Sequence, residues 1–134
     1  MLLLLDLDDT LYSRTEQLSD DLSEINDIKV FQGVKEFLIR KDFVKVLVSK
    51  GNSEIQMKKL QVLGITDLFD KIFICSNDKD KEACFKDSLI MFPNTGTVFV
   101  IGNRIDSEIR YGNKLGLKTI HLSHGKYKDL KAEN

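Results

Sequence analysis

Leu2-Leu3-Leu4-Leu5-Asp6-Leu7-Asp8-Asp9-Thr10 is the stretch on which the fold turns. Four consecutive leucines leave no polar face, which predicts a strand buried on both sides, as in a parallel sheet covered by helices. The run ends at Asp6, and an unpaired carboxylate leaving a buried strand is costly. Carboxylates at i and i+2 beyond a strand end can face one side together and share a cation with a phosphate. An isolated Asp-x-Asp-x-Thr is explained equally well as a solvated acidic turn. The apolar run in front of this one shifts the balance towards function.

Outward from this strand, four further apolar runs read the same way: Val44 to Val48, Ile72 to Cys75, Val98 to Ile101 and Thr119 to Leu122. Helical patterns separate them. Leu18, Leu22 and Ile25 predict a short amphipathic helix, Val34, Phe37 and Leu38 a second, and Ile105, Ile109 and Leu115 lie in a third segment that Gly116 ends. Ser53 with Gln56 resembles a capping box, so a helix is expected from there to Leu63, with Gly64 as its C-terminal cap. Another starts near Lys81, and the turn at Pro93, Asn94 and Gly96 leads into the strand at Val98. This β-α alternation predicts an α/β, Rossmann-like, doubly wound fold: three layers around a central parallel sheet of about five strands, with ligands outside the carboxyl ends of the strands. Residues 1–122 form the expected core, and 123–134 read as a polar tail.

Composition narrows the function. Lys and Arg total 20 against 21 acids, so bulk charge gives no reason to expect nucleic acid or a membrane surface as partner. Cys75 and Cys84 lack metal-ligand spacing and are too few for a disulfide framework, which suits a reducing compartment and buried thiols. The opening leucines lack a basic lead and a cleavage site, and no stretch is long enough to span a bilayer, so a cytoplasmic location is expected.

The strand ends carry the residues that can do chemistry: Asp6 and Asp8 after the first, Ser49 after the second, Lys79 shortly after the third, and Gly102-Asn103 after the fourth. In this order they resemble the motifs of the haloacid dehalogenase (HAD) superfamily, most of whose members are phosphatases. Leu3 to Tyr12 is similar to the first motif, Val46-Leu47-Val48-Ser49 to the second, Phe69 to Phe73 to the strand entry before the third, and Ile101 to Ile109 with Gly112 to Gly116 to the fourth. Phe31 to Leu38 matches a common helix lead-in of the family. The resemblance spans residues 1–122, and four ordered motifs are far more specific than any one.

The resemblance implies a Mg²⁺-dependent phosphomonoester hydrolase. Asp6 would attack phosphorus to give an aspartyl phosphate. Asp8 would protonate the leaving oxygen and later deprotonate water, its backbone carbonyl binding metal. Thr10, Ser49 and Lys50 would contact the phosphoryl group, and a lysine would neutralise developing charge. Lys79 is preferred for that lysine, because in the family it lies just before the helix and Phe85, Leu89 and Phe92 fall into register from it; Lys81 is the alternative. Metal ligands would be Asp6, Asp8 and Asn103, with Asp106 or Glu108 in support.

Two departures matter. The family usually has Asp where this chain has Asn103, and losing a unit charge near a cation costs roughly 4 kcal/mol at 4 Å and an effective dielectric of about 20. Weaker metal binding follows, and with it a rival reading: a catalytically weakened or inactive phosphate-binding module on the same scaffold. Second, residues 13–30 leave no room for a separate cap domain, so the site is expected to be open. The substrate is then a phosphorylated small molecule or a phosphorylated macromolecule that acts as its own lid, or a second subunit of a homo-oligomer covers the site. His121, His124 and Arg104 read as structural or solvated residues. A dinucleotide-binding domain is disfavoured, since no Gly-x-Gly-x-x-Gly follows the first strand.

Overall fold

The computed structural model describes residues 1–123. Its five strands are β1 (Leu2–Leu5), β2 (Val44–Lys50), β3 (Lys71–Cys75), β4 (Val98–Gly102) and β5 (Lys118–His121), all parallel, in the order β3-β2-β1-β4-β5. Each expected strand is present, β1 with the expected bounds and the other four shifted or extended by one or two residues. The helices are α1 (Arg14–Gln17), α2 (Val34–Leu38), α3 (Ser53–Leu63), α4 (Lys79–Met91) and α5 (Arg110–Lys114), with a kinked turn at Ile105–Ile109 before α5. The expected tail from 124 onward, with His124, lies outside the described residues.

Two cores explain the three layers. Leu3, Leu5 and Leu47 face one side and pack with Tyr12, Leu38, Leu60 and Leu63 beneath α2 and α3. Leu2, Leu4, Val46, Val48 and Val100 face the other and pack with Phe85 of α4. The alternation of side chains along each strand assigns one core to each face, and an uninterrupted apolar strand is what a sheet covered on both faces requires.

β1 lies between β2 and β4, with Leu5 opposite both Leu47 and Ile101. Consecutive connections run to opposite sides from here, so β1 and β4 flank the crevice in which such sheets bind ligands. Asp6 N–H donates to the Ile101 carbonyl at 3.1 Å, which anchors the first residue beyond β1 to the neighbouring strand.

Two local expectations are corrected. The amphipathic helix over Leu18, Leu22 and Ile25 does not form: α1 stops at Gln17, Leu18 is extended and Leu22 has φ of 60°. The Ser19 hydroxyl bonds Asp21 and Glu24, and its N–H donates to Glu24. Short polar side chains here outcompete the helical ladder for the backbone. The cap of α3 is Asn52, whose side chain accepts from Ile55 N–H at 3.1 Å, while Gln56 points elsewhere. Gly64 ends α3 with φ of 72°, as expected. Residues 6–43 hold only short helices and turns, with no inserted cap.

Candidate active site

Beyond β1 the chain turns sharply. Asp9 adopts φ of 58°, and its carboxylate accepts from Thr15 N–H at 2.9 Å and Thr15 Oγ1 at 2.8 Å. Aspartate tolerates this left-handed conformation better than most residues. The turn separates Asp6 from Asp8 and gives each to a different helix.

Asp6 goes to the α4 side. It is buried, with Lys81 Nζ 3.5 Å from Oδ1 and Thr10 Oγ1 donating to Oδ2 at 3.3 Å. Lys81 is itself buried and pairs with Glu108 at 3.0 Å. Glu108 also accepts from Arg104 N–H at 2.8 Å, and it lies against Gly102, where a Cβ would come within 2.3 Å of its Cγ. Glycine at 102 is therefore a requirement of the buried Lys81–Glu108 pair.

Burial is the main reason the Asp6 carboxyl is pushed up, to about 8; Glu108 and Asp8 add to this, and Lys81 and the Leu7 N–H oppose it. Burial pulls the Lys81 ammonium down, but Asp6 and Glu108 together hold it above the ordinary lysine value. Two carboxyls sharing one buried ammonium leave Asp6 short of positive charge.

Asp8 goes to the α3 side. Its Oδ1 accepts from Lys59 Nζ at 2.8 Å and from the Tyr12 hydroxyl at 2.5 Å, and its Oδ2 from Gln56 Nε2 at 3.1 Å. Gln56 also donates to Ser49 Oγ at 2.6 Å. Burial, and then Asp8, push the Tyr12 phenol far above its usual range, so it stays a donor.

Asn103 completes the floor. It is buried, and His121 Nε2 lies 2.9 Å from its backbone carbonyl oxygen. With its amide oxygen inward, Asn103 brings a third oxygen to about 3.0 Å from Asp6 Oδ2 and 3.2 Å from the Asp8 carbonyl; turned over, its nitrogen would donate to both. Mg²⁺ is satisfied by one or two carboxylates completed by neutral oxygens, water and substrate phosphate. The donor set therefore fits the ion, with a single carboxylate and with the Asn103 amide as a competing occupant. Among the described residues no three acidic, histidine or cysteine side chains gather as a metal-binding group.

Asp6, Asp8, Lys81 and Asn103 line a cavity of about 260 Å³ that also includes Arg14, Lys50 and Arg104. Lys50 and Arg104 each reach Asp78 at 3.4 Å, whereas Arg14 has no ion-pair partner among the described residues.

The structure thus brings Asp6, Asp8, Thr10, Lys50 and Asn103 together, and of the two candidate lysines it puts Lys81, the alternative, beside Asp6. Lys79 is exposed at the first position of α4; Lys81, two residues on, faces the sheet and meets Asp6. Phe85 and Lys81, four residues apart, lie on one side of the helix, so the face read from Phe85 carries Lys81. Asp106 is also displaced, since Arg104 binds it bidentately at 3.1 and 3.0 Å in an exposed position. Ser49 is fully buried behind Gln56. Lys59, Gln56 and Tyr12 around Asp8 were not among the expected site residues; only the face shared by Gln56 and Lys59 on α3, next to its apolar residues, hinted at buried polar groups.

No protein-family model matches the chain, and no curated protein matches it. Solved structures do. The HAD-hydrolase YfnB from Bacillus subtilis, in a magnesium-bound form, shares 16% identity at a TM-score of 0.68 over 91% of this chain and 88% of that one. A Thermotoga maritima protein assigned as a β-phosphoglucomutase shares 14% at 0.69, covering 94% and 88%. L-2-haloacid dehalogenase from Xanthobacter autotrophicus shares 11% at 0.68, covering 91% and 77%. The chain has the haloacid dehalogenase-like α/β fold.

Proposed function

We propose that this chain is a hydrolase of the HAD superfamily that removes phosphoryl groups from phosphomonoesters, with Asp6 as nucleophile and Mg²⁺ as cofactor. The observation that carries it is the setting of Asp6: a buried carboxylate at the topological switch point, within 3.5 Å of the buried Lys81 ammonium. An isolated carboxylate has no structural use for such a place, whereas a nucleophile that must meet a phosphoryl dianion needs a cation beside it.

Asp6 Oδ attacks phosphorus as the bond to the leaving oxygen breaks, and the electron pair departs with that oxygen. Lys81 lies beside Asp6 to hold the incoming phosphoryl oxygens, and Glu108 fixes its direction. Asp6, the Asp8 carbonyl and the Asn103 amide oxygen would hold Mg²⁺, which when bound supplies positive charge that favours ionised Asp6 and neutralises the phosphoryl group. For Asp8 to protonate the leaving oxygen, at least one of its contacts to Lys59, Tyr12 and Gln56 must open. Arg14 and Lys50 stand among the aspartates of the cavity lining and give an anionic substrate two further cations to meet. Phosphate release from an aryl phosphate with Mg²⁺ tests the proposal. Turnover should fall at least ~10³-fold in Asp6→Asn, and equal rates in the two proteins would overturn it.

One observation favours a second reading. The Asn103 amide can satisfy Asp6 and the Asp8 carbonyl without any cation, an arrangement suited to metal-free attack of Asp6 on carbon with loss of a halide, which needs no proton. Chloride release from 2-chloropropionate in EDTA, lost in Asp6→Asn, would select this reading over phosphoryl transfer. If neither product appears while phosphate binds calorimetrically, the non-catalytic binding module stands.

A further inference from the structure

The two cysteines do not enter this chemistry, yet they are not dispersed. Cys75, the last residue of β3, and Cys84, in the second turn of α4, bring their sulfurs to 3.4 Å. Both are free thiols, Cys75 buried and Cys84 partly exposed. The segment between them contains Asp78, which receives Lys50, Arg104 and Ser107, and Lys81, the cation beside Asp6.

We propose that Cys75 and Cys84 form a reversible disulfide, a modification site whose closure displaces Lys81 and so controls the reaction at Asp6. The dependence on activity rests on the function proposed above; the disulfide itself does not.

Geometry favours the bond. A disulfide needs its sulfurs at about 2.05 Å, so closure asks for a little over an ångström of approach. β3 cannot supply much of it: Cys75 pairs with Lys50 of β2, and its carbonyl accepts from Gly51 N–H at 2.9 Å. The movement falls on the first turns of α4. Lys81 sits one turn before Cys84 on the same face, and it is held by two contacts of 3.0 and 3.5 Å. Misplacing a catalytic group by about 1 Å can cost on the order of 10²-fold in rate.

The reaction balances with a low-molecular-weight disulfide as oxidant. The Cys84 thiolate attacks oxidised glutathione, forming a mixed disulfide and expelling one glutathione thiolate. The Cys75 thiolate then attacks the Cys84 sulfur, forming the internal bond and expelling the second; each protein thiol gives up its proton. Burial pushes the Cys75 thiol up to about 12 and raises Cys84 as well, so exchange is slow and suits sustained oxidation better than a brief pulse of peroxide.

Full-length protein is incubated with oxidised glutathione, then read by intact mass, thiol titration and phosphate release. The expected product has lost about 2 Da and both thiols, with the two cysteines in one cross-linked peptide pair. Its turnover falls at least tenfold and returns with dithiothreitol, while Cys84→Ser keeps its activity throughout. Cys75→Ser should instead retain glutathione on Cys84, because the resolving thiol is gone. Unreacted thiols, or a mixed disulfide that persists in the wild type, would overturn the site. A closed disulfide with unchanged turnover would overturn its control over Lys81. A reduced protein with no turnover would count against the phosphatase proposal, and the mass data alone would then decide the disulfide.

Discussion

Asp6 and Asp8 stand two residues apart on the same strand exit, yet the fold treats them in opposite ways. Asp6 faces α4 and is undersupplied: two buried carboxyls, its own and that of Glu108, share the Lys81 ammonium. Asp8 faces α3 and is saturated, with donors from Lys59, Tyr12 and Gln56. An undersupplied carboxylate has capacity left for a further positive group, whether a cation or a reacting centre. A saturated one is a fixed part of the frame until something opens it. The difference teaches that chemical potential at this strand end is set by which helix covers each residue, more than by the residue type.

The comparison breaks first at Lys81. Lys81→Met should lower phosphate release by about 10²-fold, while Lys79→Met should change it less than twofold. Steady-state rates, with circular dichroism to confirm folding, separate them. If the two variants behave alike, α4 does not supply the cation.

Lys59 sharpens the other side. Lys59→Met leaves Asp8 with its two neutral donors and should cost about 2 kcal/mol of stability in urea denaturation. The partial exposure of Asp8 keeps the figure below that of a fully buried pair. A Lys59→Met protein as stable as wild type would show that the saturation of Asp8 has little energetic content.

Asn103 tests the charge deficit directly. Asn103→Asp places a carboxylate 3.0 Å from Asp6, so Mg²⁺ affinity measured by calorimetry should rise about tenfold. In EDTA the same variant should melt below wild type, because repulsion replaces a hydrogen bond. Unchanged affinity would mean that the cation does not sit between Asp6, Asp8 and position 103.

The smallest effect is on pH dependence. Because the native Asp6 carboxyl is pushed up to about 8 from an ordinary 3.8, the folded state holds its proton more tightly than the unfolded chain. Its stabilising contribution is complete below pH 4 and is lost as pH rises towards 8. In EDTA, Asp6→Asn should remove this decline and gain at least about 1 kcal/mol on wild type at pH 8 relative to pH 5. Parallel stability–pH curves for the two proteins would contradict the desolvation of Asp6.

Much of this was legible in the sequence. Uninterrupted apolar runs located the strands, because burial on both faces leaves no other pattern, and the residues just beyond them located Asp6, Asp8 and Asn103. What escaped was long-range or narrowly angular. Lys79 and Lys81 differ by about 200° around a helix axis, and a helix boundary misjudged by two residues exchanges the buried lysine for the exposed one. The helix expected at Leu18 to Ile25 has the right spacing, but the Glu24 and Asp21 carboxylates accept the backbone N–H of Ser19 and Ser23 locally. Lys59 and Gln56 are separated from Asp8 by about fifty positions, and no local pattern announces that α3 turns them inward.

Peptide mapping after borohydride reduction of protein quenched during turnover of an aryl phosphate with Mg²⁺ goes most directly to the role of Asp6. Borohydride converts an aspartyl phosphate to homoserine, a loss of about 14 Da at the residue that carried the phosphoryl group. The loss is predicted at Asp6 and nowhere else. Turnover with an unaltered Asp6 peptide, or with the reduced residue at Asp8, would contradict the assignment of the nucleophile.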